Sequence, residues 1–158
     1  MHKEYITNFR YYLDEINKRD LTISISYFDL NVRLWNVTTN NFELILNIKN
    51  IYNDFVNSAC FLNNNNQNYI ATCNDEESIK VFDFKGYKIK EINDSIDKAY
   101  YIDNYYDDNL FKNYIITGNE GYVKSYDYNE NKLYHKYSEN INNNDLGNIS
   151  IIINKKME

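Results

Sequence analysis

The amino-acid sequence predicts an all-β chain: three four-stranded antiparallel meanders in series, with one extra strand towards the C-terminal end. Three observations carry this expectation. A phrase recurs as Ser26-Tyr27-Phe28-Asp29-Leu30-Asn31-Val32-Arg33-Leu34-Trp35-Asn36, as Asn74-Asp75-Glu76-Glu77-Ser78-Ile79-Lys80-Val81-Phe82-Asp83, and as Asn119-Glu120-Gly121-Tyr122-Val123-Lys124-Ser125-Tyr126-Asp127. In each copy an acidic turn leads into a strand of alternating apolar and basic residues that ends on an aromatic and then Asp or Asn. The aromatics Trp35, Phe82 and Tyr126 recur about every 45 residues, a period typical of stacked β-sheet units. Composition agrees, because 17 Tyr and 8 Phe stand against no Pro, and aromatic and β-branched residues fit a pleated surface. Short apolar stretches are also separated by Asn, Asp and Gly turns at the spacing of a meander.

The elements follow in order. The first unit, 2–49, offers strands at 5–13, 21–27, 31–37 and 42–48, with a polar turn at 14–19. Tyr5, Phe9, Tyr12 and Ile16 also fall at helical spacing, but repeat context and the aromatic content favour a strand. The second unit, 50–94, is the clearest: 55–62 is apolar, with Ala59 and Cys60 small, and 69–73 follows the run Asn63-Asn64-Asn65-Asn66. Its third strand is 78–84, and its fourth, after Gly86, is 88–92. The third unit, 95–138, repeats this with 99–106, 114–118, 122–128 and 132–137, and Gly121 supplies the flexible position in a shorter second turn. Asn fills many turns because it tolerates the left-handed backbone that turns require. Beyond an Asn-rich stretch, 148–154 with Ile149-Ser150-Ile151-Ile152-Ile153 reads as the extra strand.

These residues resemble the WD-repeat β-propeller family over nearly the whole chain. The sequence from Asp29 to Asn36 is close to the family's third-strand signature, and Ile79-Lys80-Val81-Phe82-Asp83 and Val123-Lys124-Ser125-Tyr126-Asp127 keep its pattern. The resemblance implies a partial β-propeller of about three blades plus one strand, belonging to a larger propeller. It also implies a network inside each blade, formed in the first unit by His2, Ser24 or Ser26, Asp29 and Trp35. The later units offer Thr72 with Glu76 and Phe82, and Thr117 with Glu120 and Tyr126, and neither has the His. Phe82 and Tyr126 keep an aromatic plug but lose the indole N–H. Propeller rings close with about four to eight blades. Three units therefore need further blades, another copy or a partner, since open strand edges invite pairing.

The chemistry of the side chains points away from catalysis. A net charge of −6 spread without a basic block argues against nucleic acid. No apolar run approaches the roughly 20 residues of a membrane span, and the N-terminus lacks the apolar core of a signal peptide, so a cytoplasmic protein without membrane attachment is expected. Cys60 and Cys73 flank the Asn-rich turn and are expected as buried, reduced thiols; without a nearby His they offer no zinc site. His2 and His135 are isolated, the 4 Gly form no phosphate loop, and Asp75-Glu76-Glu77 lacks the spacing of a calcium loop. No catalytic residue, cofactor or metal ligand is expected.

Tyr100, Tyr101, Tyr105 and Tyr106 could stack nucleic-acid bases, but Asp103, Asp107 and Asp108 interleave them and would repel phosphate. A protein contact suits them better, since Tyr is enriched at interfaces. The expected function is therefore a non-enzymatic WD-repeat scaffold for protein or peptide partners, with self-association through open edges. The alternative is a regulatory or substrate-binding repeat segment of a longer enzyme such as a protein kinase.

Overall fold

The computed structural model describes residues 5–26, 30–75, 78–93, 98–119 and 121–138. The first sheet contains β1 (Ile6–Asp14), β2 (Arg19–Ser26), β3 (Asn31–Thr38) and β4 (Asn41–Ile48). The second contains β5 (Val56–Asn64), β6 (Gln67–Asn74), β7 (Ile79–Asp83) and β8 (Lys88–Ile92), and the third β9 (Tyr101–Asp107), β10 (Lys112–Asn119), β11 (Tyr122–Asp127) and β12 (Lys132–Ser138). Each sheet is an antiparallel meander in sequence order, so the described chain is all-β and forms three propeller-like blades in an open stack. Every strand expected between residues 5 and 138 is present, with small shifts at its ends, and the N-terminal stretch is strand rather than helix. The extra strand expected at 148–154 lies outside the described residues.

Carboxylates close the hairpins. Asp14 Oδ1 accepts from Asn17 N at 3.3 Å, and Asp14 Oδ2 from Arg19 Nε at 2.8 Å. Asp107 Oδ1 does the same for Asn109 N (2.9 Å) and Leu110 N (3.1 Å) in the first hairpin of the third sheet. The Asp that follows the aromatic in the repeated phrase has this task in the third-to-fourth-strand turn. Asp83 Oδ1 accepts from Lys85 N and Tyr87 N, both at 2.9 Å, and Asp127 Oδ1 accepts from Asn129 N (2.8 Å) and Glu130 N (3.0 Å). The repeated acidic positions thus specify turns by an Asx-type bond.

Asp14 and Asp127 are buried, which raises a carboxyl pKa, yet their hydrogen bonds more than offset burial. Those from Asn17 and Arg19 hold Asp14 below its ordinary 3.8, and those from Lys112, Glu130 and Asn129 do the same for Asp127. A depressed folded pKa contributes stability that is complete above the unfolded value and is lost as pH falls through the folded one. Melting temperature followed from pH 7 downwards is therefore expected to hold until about pH 4 and then fall. Asp127→Asn should flatten part of that acid limb; an unchanged limb would remove Asp127 from its cause.

Strand alternation gives every sheet two faces, here termed leading, towards the preceding unit, and trailing, towards the next. The trailing face of the first sheet presents Leu21, Ile23, Ile25, Val32 and Leu34 to Phe61, Ile70 and Phe82 of the second, all buried. Tyr12 stacks on Phe61 at 4.8 Å between centroids. The second sheet's trailing face, with Leu62, Ala71, Ile79 and Val81, meets Ile102, Ile115 and Tyr126 of the third. The middle sheet is covered on both sides.

The opening strands of the sheets run side by side in one direction. Asn8 Nδ2 donates to Ser58 Oγ at 3.2 Å near their starts, and Tyr12 OH to Asn68 Oδ1 at 2.8 Å near the other end. Likewise Asn57 Nδ2 donates to the Ala99 carbonyl at 3.0 Å, and Asn113 Nδ2 to Asn64 Oδ1 at 2.7 Å. The first and third hairpin turns of all three sheets therefore gather at one end. Cys60 and Cys73 are free and buried, and burial pushes both thiols up; Cys60 sits opposite Ala71, and Cys73 opposite Ser58, so they do not face each other directly.

Candidate protein-contact surface

The repeated phrase builds blade interiors. Trp35 Nε1 donates to Ser24 Oγ at 2.7 Å, which assigns the Trp's partner to Ser24, while Ser26 is fully buried one turn of the pleat further on. Phe82 and Tyr126 take the position of Trp35 in their sheets and are buried in the two inter-sheet cores. Thr72 Oγ1 donates to the Lys80 carbonyl at 3.1 Å, and Thr117 is buried in β10. His2, Asp29, Glu76 and Glu120 lie outside the described residues.

The network in the second blade has a member that sequence reasoning missed. Tyr52 is buried, and its hydroxyl lies 2.9 Å from the Thr72 carbonyl, 3.0 Å from Thr72 Oγ1 and 3.3 Å from the Ser78 carbonyl, while accepting from Lys80 N at 3.3 Å. Lys80 Nζ sits 4.1 Å above its ring and donates to the Ile51 carbonyl at 3.0 Å. Burial pushes the phenol far up, so it stays protonated as a donor. The available signal was positional: Tyr52 precedes β5 by four residues, as His2 precedes β1 in the sequence. In sequence, Tyr52 thus holds in the second unit the place that His2 holds in the first.

The four tyrosines singled out in the sequence do not share one surface. Tyr100 precedes β9 and bonds through its backbone N to the Gly118 carbonyl at 2.9 Å. Tyr101 and Tyr105 point to the trailing face, and Tyr106 to the opposite one, because they differ by an odd number of residues along a pleated strand. Tyr105 joins a band of rings across the third sheet instead. Its centroid lies 6.5 Å from that of Tyr114, Tyr114 is 4.8 Å from Tyr134, Tyr134 is 4.3 Å from His135, and His135 is 5.6 Å from Tyr137. His135 is exposed, as a solvated outer-strand residue should be.

A second surface is the end where the first and third hairpin turns gather. Ile16, Tyr87, Leu110 and Phe111 are exposed there, among the exposed carboxylates of Glu15, Asp108 and Glu130 and the exposed ammonium groups of Lys18 and Lys85. Phe111 is 77% exposed at a backbone φ of 53°, in the left-handed region. The same geometry recurs in other turns at this end, where Asn65 (φ 52°), Asn66 (φ 59°), Asn131 (φ 57°), Gly86 (φ 89°) and, at the matching place of the β1–β2 turn, the exposed Lys18 (φ 50°) occupy it. Asn and Gly suit a left-handed turn; Lys and Phe do not.

Among the described residues no three His, Cys, Asp or Glu side chains are grouped to hold a metal ion, and no helix is long and apolar enough to cross a membrane. No family model matches the chain, and a comparison with curated proteins returns no match.

Proposed function

We propose that this chain is a non-enzymatic interaction module of the WD-repeat type, cytoplasmic and working within a larger assembly, which holds a protein or peptide partner at the end where the first and third hairpin turns gather. The observation that carries this is Phe111. A left-handed backbone costs a non-Gly residue roughly 1–2 kcal/mol, and a side chain 77% exposed recovers little of that through packing. Residues held in this region recur at binding sites, and Phe111 is the aromatic among the described residues that the chain holds there. Aromatic and aliphatic anchors carry most of the energy of protein contacts, and surrounding charges set which partner is accepted. Phe111 and Leu110 are the anchors; Asp108, and Glu130 beside the Lys112 with which it pairs at 3.1 Å, select a partner with Lys or Arg beside an apolar side chain.

The test is selection from a random peptide library on the immobilised chain. Peptides that pair an apolar residue with Lys or Arg should be retained by the unaltered protein and lost on Phe111→Gly. Equal retention by both proteins would count against the turn end as the site. The same variant is expected to be more stable by about 1 kcal/mol in urea unfolding, since Gly removes the backbone strain. A destabilised variant would mean that the Phe111 ring packs within the fold.

A further inference from the structure

The two internal junctions of the chain define a rule that its two ends leave unfulfilled. At both junctions the leading face of one sheet is covered by the trailing face of the sheet before it. The strand registers place Phe9, Tyr11 and Trp35 of the first sheet at the positions of Ala59, Phe61 and Phe82 in the second. Ala59 is 0% and Phe61 7% exposed, whereas Phe9 is 68% and Tyr11 60% exposed. Phe42 and Leu44, opposite Val37 and Trp35 on β4, are exposed on the same leading face. At the other end of the stack, the trailing face of the third sheet carries the band Tyr105, Tyr114, Tyr134, His135 and Tyr137, in which Tyr114 is buried at 3% beneath its neighbours while Tyr134, His135 and Tyr137 are exposed. Among the described residues, one copy thus presents exposed aromatic side chains on the leading face of its first sheet and on the trailing face of its third, at opposite ends of the stack.

We infer that a second copy of this chain covers both. The trailing face of each copy's third sheet packs on the leading face of the other's first sheet, so that two sets of three blades close into one ring of six. That number lies within the about four to eight blades with which propellers close. A head-to-tail contact ends in a ring when its rotation closes, and in an open filament when it does not. A contact between two leading faces is disfavoured because both junctions inside the chain pair leading with trailing. The inference is independent of the turn-end site, which a ring leaves open, so either can fail without the other.

Sedimentation equilibrium of the purified chain, with two variants, tests it. Phe42→Lys alters the leading face of the first sheet and Tyr137→Lys the trailing face of the third; both residues are exposed in the single copy, and circular dichroism should confirm an unchanged β signal. The unaltered chain is expected at about 38 kDa, twice the 19.0 kDa of one copy. Each variant alone should be monomeric, because both of its junctions contain the altered face. An equimolar mixture should regain the dimer, since one of its two junctions is then intact. Emission from the single Trp, Trp35 on the leading face, should shift to the blue as the dimer forms. A monomer at all concentrations, as expected if other blades or a different partner cover these faces, would overturn the inference. So would open-ended oligomers, or a Tyr137→Lys protein that still dimerises alone, which marks contact between two leading faces.

Discussion

Phe82→Ala is expected to destabilise the chain by about 4 kcal/mol, within the range for removing a large buried aromatic. Phe82 is 6% exposed and lies in the core between the first and second sheets, with Ile70 beside it on the same face and Leu21, Ile23 and Leu34 opposite. The cost combines lost transfer energy with a cavity that two flanking sheets cannot readily close. The loss acts on the middle sheet, which joins the other two, so unfolding should remain one cooperative transition. The sharper expectation is a comparison. Trp35→Ala removes the corresponding and larger residue but should cost less in the single copy, because the face it occupies is uncovered; its main loss is the bond to Ser24 Oγ. Urea unfolding of both variants at low concentration checks this. A Trp35→Ala cost equal to that of Phe82→Ala would mean that the leading face of the first sheet is already buried.

Tyr52→Phe is expected to cost about 2 kcal/mol, although it removes a single oxygen. That hydroxyl is buried and joins three parts of the second blade: the segment before β5, Thr72 on β6 and the start of β7 at Ser78 and Lys80. Its loss leaves Lys80 N and Thr72 with fewer partners away from water, and such unsatisfied groups cost about 1–3 kcal/mol. The ring stays, and with it the contact with the Lys80 ammonium 4.1 Å from the ring centre. Packing should therefore survive while hydrogen bonding is lost, and hydrogen exchange should rise first at the amides of 78–80. A neutral substitution would show that the blade is held by apolar packing alone.

Much of the fold was legible because two independent periods agree. Alternation of apolar residues marks the strands, and the recurrence of Trp35, Phe82 and Tyr126 fixes which strands belong together. The Asp after each aromatic could be placed but not explained from sequence, since only the folded chain brings Asp83 and Asp127 to accept from backbone N–H groups across the third-to-fourth-strand turn. Tyr52 was not legible because nothing in its sequence neighbourhood marks a phenol as buried and bonded to Thr72, Ser78 and Lys80. The contact surface was the least legible. Tyr105 and Tyr106 are adjacent in the chain and lie on opposite faces of β9, so a cluster in sequence is divided in space. Phe111 reads in the sequence as one more aromatic, and only its φ and its exposure set it apart.

Hydrogen exchange on the chain with and without a library-selected basic, apolar peptide tests the functional reading most directly. The expected footprint is slowed exchange at the β9–β10 turn, 108–111, and at the β11–β12 turn of the same sheet, 128–131, with no change along β4. Protection confined to the sheet faces, with these turns exchanging as in the free chain, would contradict it.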